Sequence, residues 1–136
     1  MSKICKIKDI LIGDGIPKVC VSVVSDNHQA IITDIIRLMD YDIDIIELRI
    51  DYFKELLNQQ KLKELFKMIA TLEMKQALIL TYRSVKEGGL GELSHEEYIN
   101  LYKIALESGA FDVYDVELSS GTNAIITLNN MIHEAD

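Results

Sequence analysis

Eight polar side chains recur at comparable places along the 136-residue chain: Ser22, Glu47, Arg49, Asp51, Thr81, Arg83, Asp115 and Glu117. The carboxylates are acceptors, and the arginines are donors held in a fixed fork. Residue types of this kind either gather around a polar ligand or pair among themselves as an ion network. The four acids outnumber the two arginines, and a buried set with that excess calls for cations from elsewhere.

The elements that carry them read as four repeats of strand then helix. Residues 18–25, 43–51, 77–84 and 111–118 are rich in Val, Ile, Leu and Tyr, which suit a packed, pleated surface. Between and after them, apolar residues recur at spacings of three and four: Ile31, Ile32, Ile35, Ile36 and Met39; Leu62, Leu65, Phe66 and Ile69; Tyr98, Leu101, Tyr102 and Ala105; and a last pattern over residues 124–132. Ser94-His95-Glu96-Glu97 has the spacing of a capping box, and Gly109 stands where that helix would stop. Such alternation implies an α/β fold with a parallel sheet and right-handed crossovers. Two short apolar stretches, residues 4–7 and 10–12, followed by Gly13-Asp14-Gly15, read as a small hairpin ahead of the sheet.

Strand parity then sorts the polar residues. Ile46, Leu48, Leu78, Leu80, Tyr114, Val116 and Leu118 share a mainly apolar face that would take the helices. The opposite face begins apolar, with Cys20, Val24, Ile43, Ile45, Ile79 and Val113, and carries the polar set toward the C-terminal strand ends. Parallel sheets place their sites at those ends. Recurrence there favours a site over a solvated ion-pair network.

Composition narrows the function classes. The chain of 15.4 kDa is 49% apolar and 26% charged, one domain's worth of globular sequence over residues 1–136, with residues 1–16 as the hairpin segment. Its 22 acids against 14 Lys and Arg, a net charge of -8, argue against nucleic acid and anionic membranes as partners. No apolar run approaches the roughly 20 residues that span a bilayer, and the N-terminus lacks a secretory apolar stretch. Cys5 and Cys20 make no disulfide framework and suit a reducing cytoplasm.

Taken together, Glu47-Leu48-Arg49-Ile50-Asp51, the run Thr81-Tyr82-Arg83-Ser84-Val85-Lys86-Glu87-Gly88-Gly89, Val19-Cys20-Val21-Ser22 and Asp115-Val116-Glu117-Leu118 closely resemble type I 3-dehydroquinate dehydratase of the shikimate pathway. The resemblance covers nearly the whole chain. It implies a (β/α)₈ barrel of about 250 residues, of which these four βα units are the N-terminal half. It also implies dehydration of 3-dehydroquinate to 3-dehydroshikimate through a lysine imine, with a histidine moving the proton and no metal or organic cofactor. That lysine and histidine belong to the second half. Lys86, His95 and His133 do not stand in their places.

The resemblance further implies that Ser22, Glu47, Leu48, Arg49 and Arg83 belong to the substrate-binding set. Within it, Leu48 stands where many relatives carry an aromatic and faces the helix layer. Glu87 would support the histidine, and Asp51, Asp115 and Glu117 would stand behind these groups. The missing half, or a second copy of the chain, is the expected partner.

Other signals are weaker. Gly88-Gly89-Leu90-Gly91 lacks the order of a phosphate loop and reads as a flexible loop able to act as a lid. Parity splits Asp42, Asp44, Glu47 and Asp51 between faces, against a metal site. His28, His95 and His133 fall in helical patterns and are expected to face solvent. Besides the dehydratase, two classes remain open: a catalytically inactive half-barrel serving assembly or ligand binding, and an unrelated small α/β domain with a reversed strand order.

Overall fold

Strand and helix alternate through the computed structural model, which describes residues 3–135. Met1, Ser2 and Asp136, the ends of the expected domain and of its hairpin segment, lie outside the described residues. The hairpin is β1 (Cys5–Ile7) with β2 (Ile10–Ile12), paired antiparallel. Then follow β3 (Cys20–Val23), α1 (His28–Met39), β4 (Ile45–Arg49), α2 (Gln59–Ala70), β5 (Ala77–Thr81), α3 (His95–Ser108), β6 (Val113–Tyr114) and α4 (Thr122–Glu134).

The sheet order is β3-β4-β5-β6, every neighbour parallel. Sequential order with no reversal is the arrangement of half a (β/α)₈ barrel. It rules out the reversed order of a doubly wound domain.

Helices α1, α2 and α3 each begin where a side chain satisfies a free N–H group, whereas α4 starts at Gly121 with no side-chain cap. Asn27 accepts from the Ala30 N–H, and Asn58 from the Lys61 N–H. Ser94 and Glu97 form the reciprocal capping box, and Gly109 closes α3 at φ +67°. Each cap stabilises its helix by about 1 kcal/mol. The helices then bury one stripe against the sheet. Ile46, Leu48, Leu78 and Leu80 meet Ile31, Ile35, Leu62, Leu65, Phe66 and Tyr102, all inaccessible to solvent. Burial of each aliphatic side chain is worth about 1.5–3 kcal/mol.

The hairpin is tied below the sheet by one lysine. Lys8, in a left-handed conformation at the turn (φ +53°), sends Nζ to the carbonyls of Gln76 at 2.6 Å and Met74 at 3.1 Å, and to Asp112 at 3.2 Å. Three acceptors saturate the ammonium. They anchor the hairpin beside the N-terminal ends of β5 and β6.

Three expectations are corrected. The strands are shorter than their apolar runs, so Asp51, Arg83, Asp115 and Glu117 lie just beyond them. There, carboxylates replace carbonyls as acceptors for backbone N–H groups and the chain turns away. Leu118, expected on the helix-facing side, stands 83% exposed in the short 3₁₀ turn Leu118–Ser120. Ile45, on the face expected to carry no helices, is nevertheless only 9% exposed at the hairpin end of β4, whereas Val24 on that face is 49% exposed.

Candidate functional site

Glu47 is the centre of the open sheet face. β3, β4 and β5 run in register, with Ser22 opposite Glu47 and Arg49 opposite Thr81. The Ser22 hydroxyl donates to Glu47 Oε1 at 2.5 Å, and the Thr81 hydroxyl to Oε2 at 2.8 Å. Both carboxylate oxygens are therefore fixed while the group still faces the open side.

Arg49 is oriented by its neighbour two residues on. Its Nε and Nη2 donate to the two oxygens of Asp51, both at 2.9 Å, and its guanidinium lies 5.2 Å from the Tyr52 ring centre. The Asp51 side chain is wholly covered. It accepts two further bonds, from the N–H of Arg83 at 3.2 Å and of Leu90 at 3.1 Å. Burial alone would push its carboxyl up. The Arg49 bonds and the two backbone donors outweigh burial and hold it below the usual aspartate range. The same pairing raises the Arg49 guanidinium.

Arg83 is the second fixed cation. Its Nη1 meets Glu87 at 3.0 Å and Glu117 at 3.6 Å, and its Nη2 meets Asp115 at 3.1 Å. Glu117 is buried and grips the next residue: the Ser84 N–H donates to it at 2.6 Å and the Ser84 hydroxyl at 2.7 Å. Ser119, and then Arg83, hold the Glu87 carboxyl below its ordinary value. Asp115 Oδ1 is buried, and no donor to it is found among the described residues.

The loop over residues 83–91 is pinned, which overturns the expectation of a flexible lid. Val85 N–H donates to Gly91 O at 3.0 Å, Gly89 N–H to Ser84 O at 2.8 Å, and Gly91 N–H to Arg83 O at 3.0 Å. A Cβ on Gly89 would overlap the Arg83 carbonyl, and one on Gly91 the Tyr82 ring. Glycine is required here by close packing, so the Gly-rich composition marks tightness and not freedom.

Of the expected site residues, the structure brings Ser22, Glu47, Arg49, Asp51, Arg83, Glu87, Asp115 and Glu117 to the C-terminal end of the sheet. Leu48 is the exception: its side chain is fully buried on the helix side, away from the open face. Alternation of strand side chains makes this unavoidable, because its neighbours Glu47 and Arg49 face the other way. His95 and His133 are exposed, and His28 is half-buried at the start of α1. Among the described residues, no three His, Cys, Asp or Glu side chains are grouped so as to hold a metal ion.

Three tyrosines behind the site were hidden in apolar patterns. Tyr82 Oη accepts from the Leu93 N–H at 2.8 Å and Tyr98 Oη from the Glu117 N–H at 3.2 Å, while the Tyr102 hydroxyl donates to the Asp115 carbonyl. The available signal was that a buried tyrosine needs a polar partner, which phenylalanine would not.

A family model described as type I 3-dehydroquinase matches residues 19–136, which contain every one of these site residues. The chain belongs to the type I 3-dehydroquinase family. The 3-dehydroquinate dehydratase of Clostridioides difficile is 35% identical over 136 residues, covering 100% of this chain and 53% of the relative. That of Clostridium novyi is 34% identical over 134 residues, 98% of this chain and 53% of the relative.

A crystal structure of the Clostridium difficile type I enzyme with covalently modified comenic acid superposes with a TM-score of 0.93 at 35% identity, over 99% of this chain and 53% of that one. The Enterococcus faecalis 3-dehydroquinate dehydratase superposes with a TM-score of 0.88 at 30% identity, over 95% of this chain and 54% of that one. The chain thus spans about half the length of the relatives it matches. The hairpin precedes the segment matched by the family model, but it lies within the full-length match to the Clostridioides difficile relative.

Proposed function

We propose that this chain supplies the substrate-orienting half of a 3-dehydroquinate dehydratase, a lyase that forms 3-dehydroshikimate in aromatic biosynthesis. The observation that carries the reading is the fixed array of Glu47, Arg49 and Arg83 at the strand ends, within a segment matched throughout by the family. Glu47 accepts from hydroxyls of a polyhydroxylated ring, and the two guanidiniums donate to its oxygens. Ser22 keeps Glu47 in place, and Asp51, Asp115 and Glu117 hold the arginines. Glu87 is the carboxylate that supports the histidine of the other half, fixing its tautomer and favouring its protonated form.

The other half supplies the lysine that condenses with the substrate ketone and the histidine that moves the proton before water leaves. On this reading residues 1–136 are one partial domain. The partner is a complementary four-unit half that brings positive charge to the acid-rich strand ends. The setting is the cytoplasm, in keeping with free Cys5 and Cys20.

The test completes the 136-residue chain with the remaining half of the Clostridioides difficile relative and follows 3-dehydroshikimate formation, with borohydride to trap the imine. Turnover by the complex, none by the chain alone, and a mass adduct on the added half are expected. An adduct on this chain would overturn the division of labour. A folded complex with neither turnover nor adduct would overturn the substrate reading.

A further inference from the structure

Helix α3 reaches the site from behind through two hydroxyls. Tyr98 and Tyr102, one turn apart, are both buried. Tyr98 accepts from the Glu117 N–H at 3.2 Å, and Tyr102 donates to the Asp115 carbonyl. These backbone groups lie just past β6, a strand of only two residues, where the Asp115 N–H makes the last bond to β5, to the Leu80 carbonyl at 3.0 Å. The rings are themselves fixed. Tyr98 packs edge-on to Tyr102 at 5.0 Å between centres and tilted against Tyr82 at 5.2 Å. Burial pushes both hydroxyls above the ordinary tyrosine value, so they remain protonated at neutral pH.

The path onward to the site is short. Residues 115 and 117 carry two of the three carboxylates around the Arg83 guanidinium, and Glu117 also grips Ser84. Where the backbone at 115–117 sits therefore decides where Arg83 points. Arg49 is held differently, by Asp51 and the Tyr52 ring.

We infer that Tyr98 and Tyr102 are positioning residues for Arg83, acting through the backbone of Asp115 and Glu117. The inference rests on the reading of Arg83 as a substrate group, but its structural content stands without it. A hydroxyl on the helix layer supplies the anchor that a longer fourth strand would otherwise provide. The ring fills the core, and the oxygen fixes the loop.

The test uses the full chain with ¹⁵N-labelled arginine, in the assembly it forms in solution, and the variants Tyr98→Phe and Tyr102→Phe. Proton exchange at the two guanidiniums is followed by nuclear magnetic resonance. Either variant should quicken exchange at Arg83 about fivefold, the factor commonly carried by one buried hydrogen bond, and leave Arg49 unchanged. Ile104→Val, a core change on the same helix, should lower the melting temperature without separating the two arginines.

Equal quickening at Arg49 and Arg83 in the tyrosine variants would show a merely structural role and overturn the inference. So would an unchanged Arg83. The readout uses no substrate, so a failure of the dehydratase reading would show separately, as absent turnover with the arginine result intact.

Discussion

The carboxylate of Asp51 lies 3.1 Å from the backbone N–H of Leu90, 39 residues further along the chain. The same side chain accepts from Arg49 and from the Arg83 N–H. One buried acid thus joins the end of β4, the end of β5 and the tip of the loop that follows β5. Removing one partner of a buried pair commonly costs about 3–5 kcal/mol. Arg49 retains some exposure, so we expect the lower end, about 3 kcal/mol, for Asp51→Asn. The amide would also set its own N–H donors against those of the backbone. Urea unfolding checks this, with Ser22→Ala on the open face as a variant expected to lose less than about 1 kcal/mol.

The pH dependence of stability follows from the same residue. The folded-state value of Asp51 lies below its unfolded value, so its stabilisation is complete above the unfolded value. It is lost as pH falls from about 4 toward the lower folded-state value. Urea midpoints measured downward from neutral pH should drop below about pH 4, and the drop should be smaller in Asp51→Asn. Parallel curves for the two proteins would assign the acid sensitivity to other groups.

Two adjacent glycines should respond differently to alanine. Gly88 adopts φ +88° with open space around its missing Cβ, so Gly88→Ala meets backbone strain alone, about 1–2 kcal/mol. Gly89 has no room, because its Cβ would overlap the Arg83 carbonyl. Gly89→Ala must push the loop off Arg83 and Ser84, and we expect it to be the more damaging to both stability and ligand binding. Melting temperatures and binding isotherms of the two variants check the order.

The open face should drive association. Cys20 and Val24 are exposed and Ile79 and Val113 partly so, and among the described residues β3 has a sheet neighbour on one side only. Such an edge invites pairing, and exposed aliphatic groups forgo about 1.5–3 kcal/mol each when fully uncovered. Light scattering of the 136-residue chain at micromolar concentration should report a species larger than one chain. A monomer that melts cooperatively would count against this.

Much of the site was legible because strand parity is simple. Glu47 and Arg49 share a face, and Leu48 cannot join them. The pattern overstated the strands, because Asp51 and Glu117 continue the alternation of residue types after the backbone has left the ladder. It also misread Gly89 and Gly91, where glycine allows close packing and local composition looks the same as in a mobile loop. Tyr98 and Tyr102 were counted as apolar because periodicity weighs the ring and is blind to the hydroxyl. Lys8 carried no signal, since its three acceptors come from residues 66 or more positions away, brought together only by the fold.

The tilted and edge-on aromatic rings give the protein an optical character. The chain has six tyrosines and no tryptophan, so tyrosine dominates its near-ultraviolet absorption and emission. Tyr82, Tyr98, Tyr102 and Tyr114 form a continuous series, with successive ring centres 5.0–6.1 Å apart. Asymmetric, rigid neighbours couple their transitions. The near-ultraviolet circular dichroism band is therefore a native reporter of packing directly beneath Arg83 and Glu117, with no probe to be introduced.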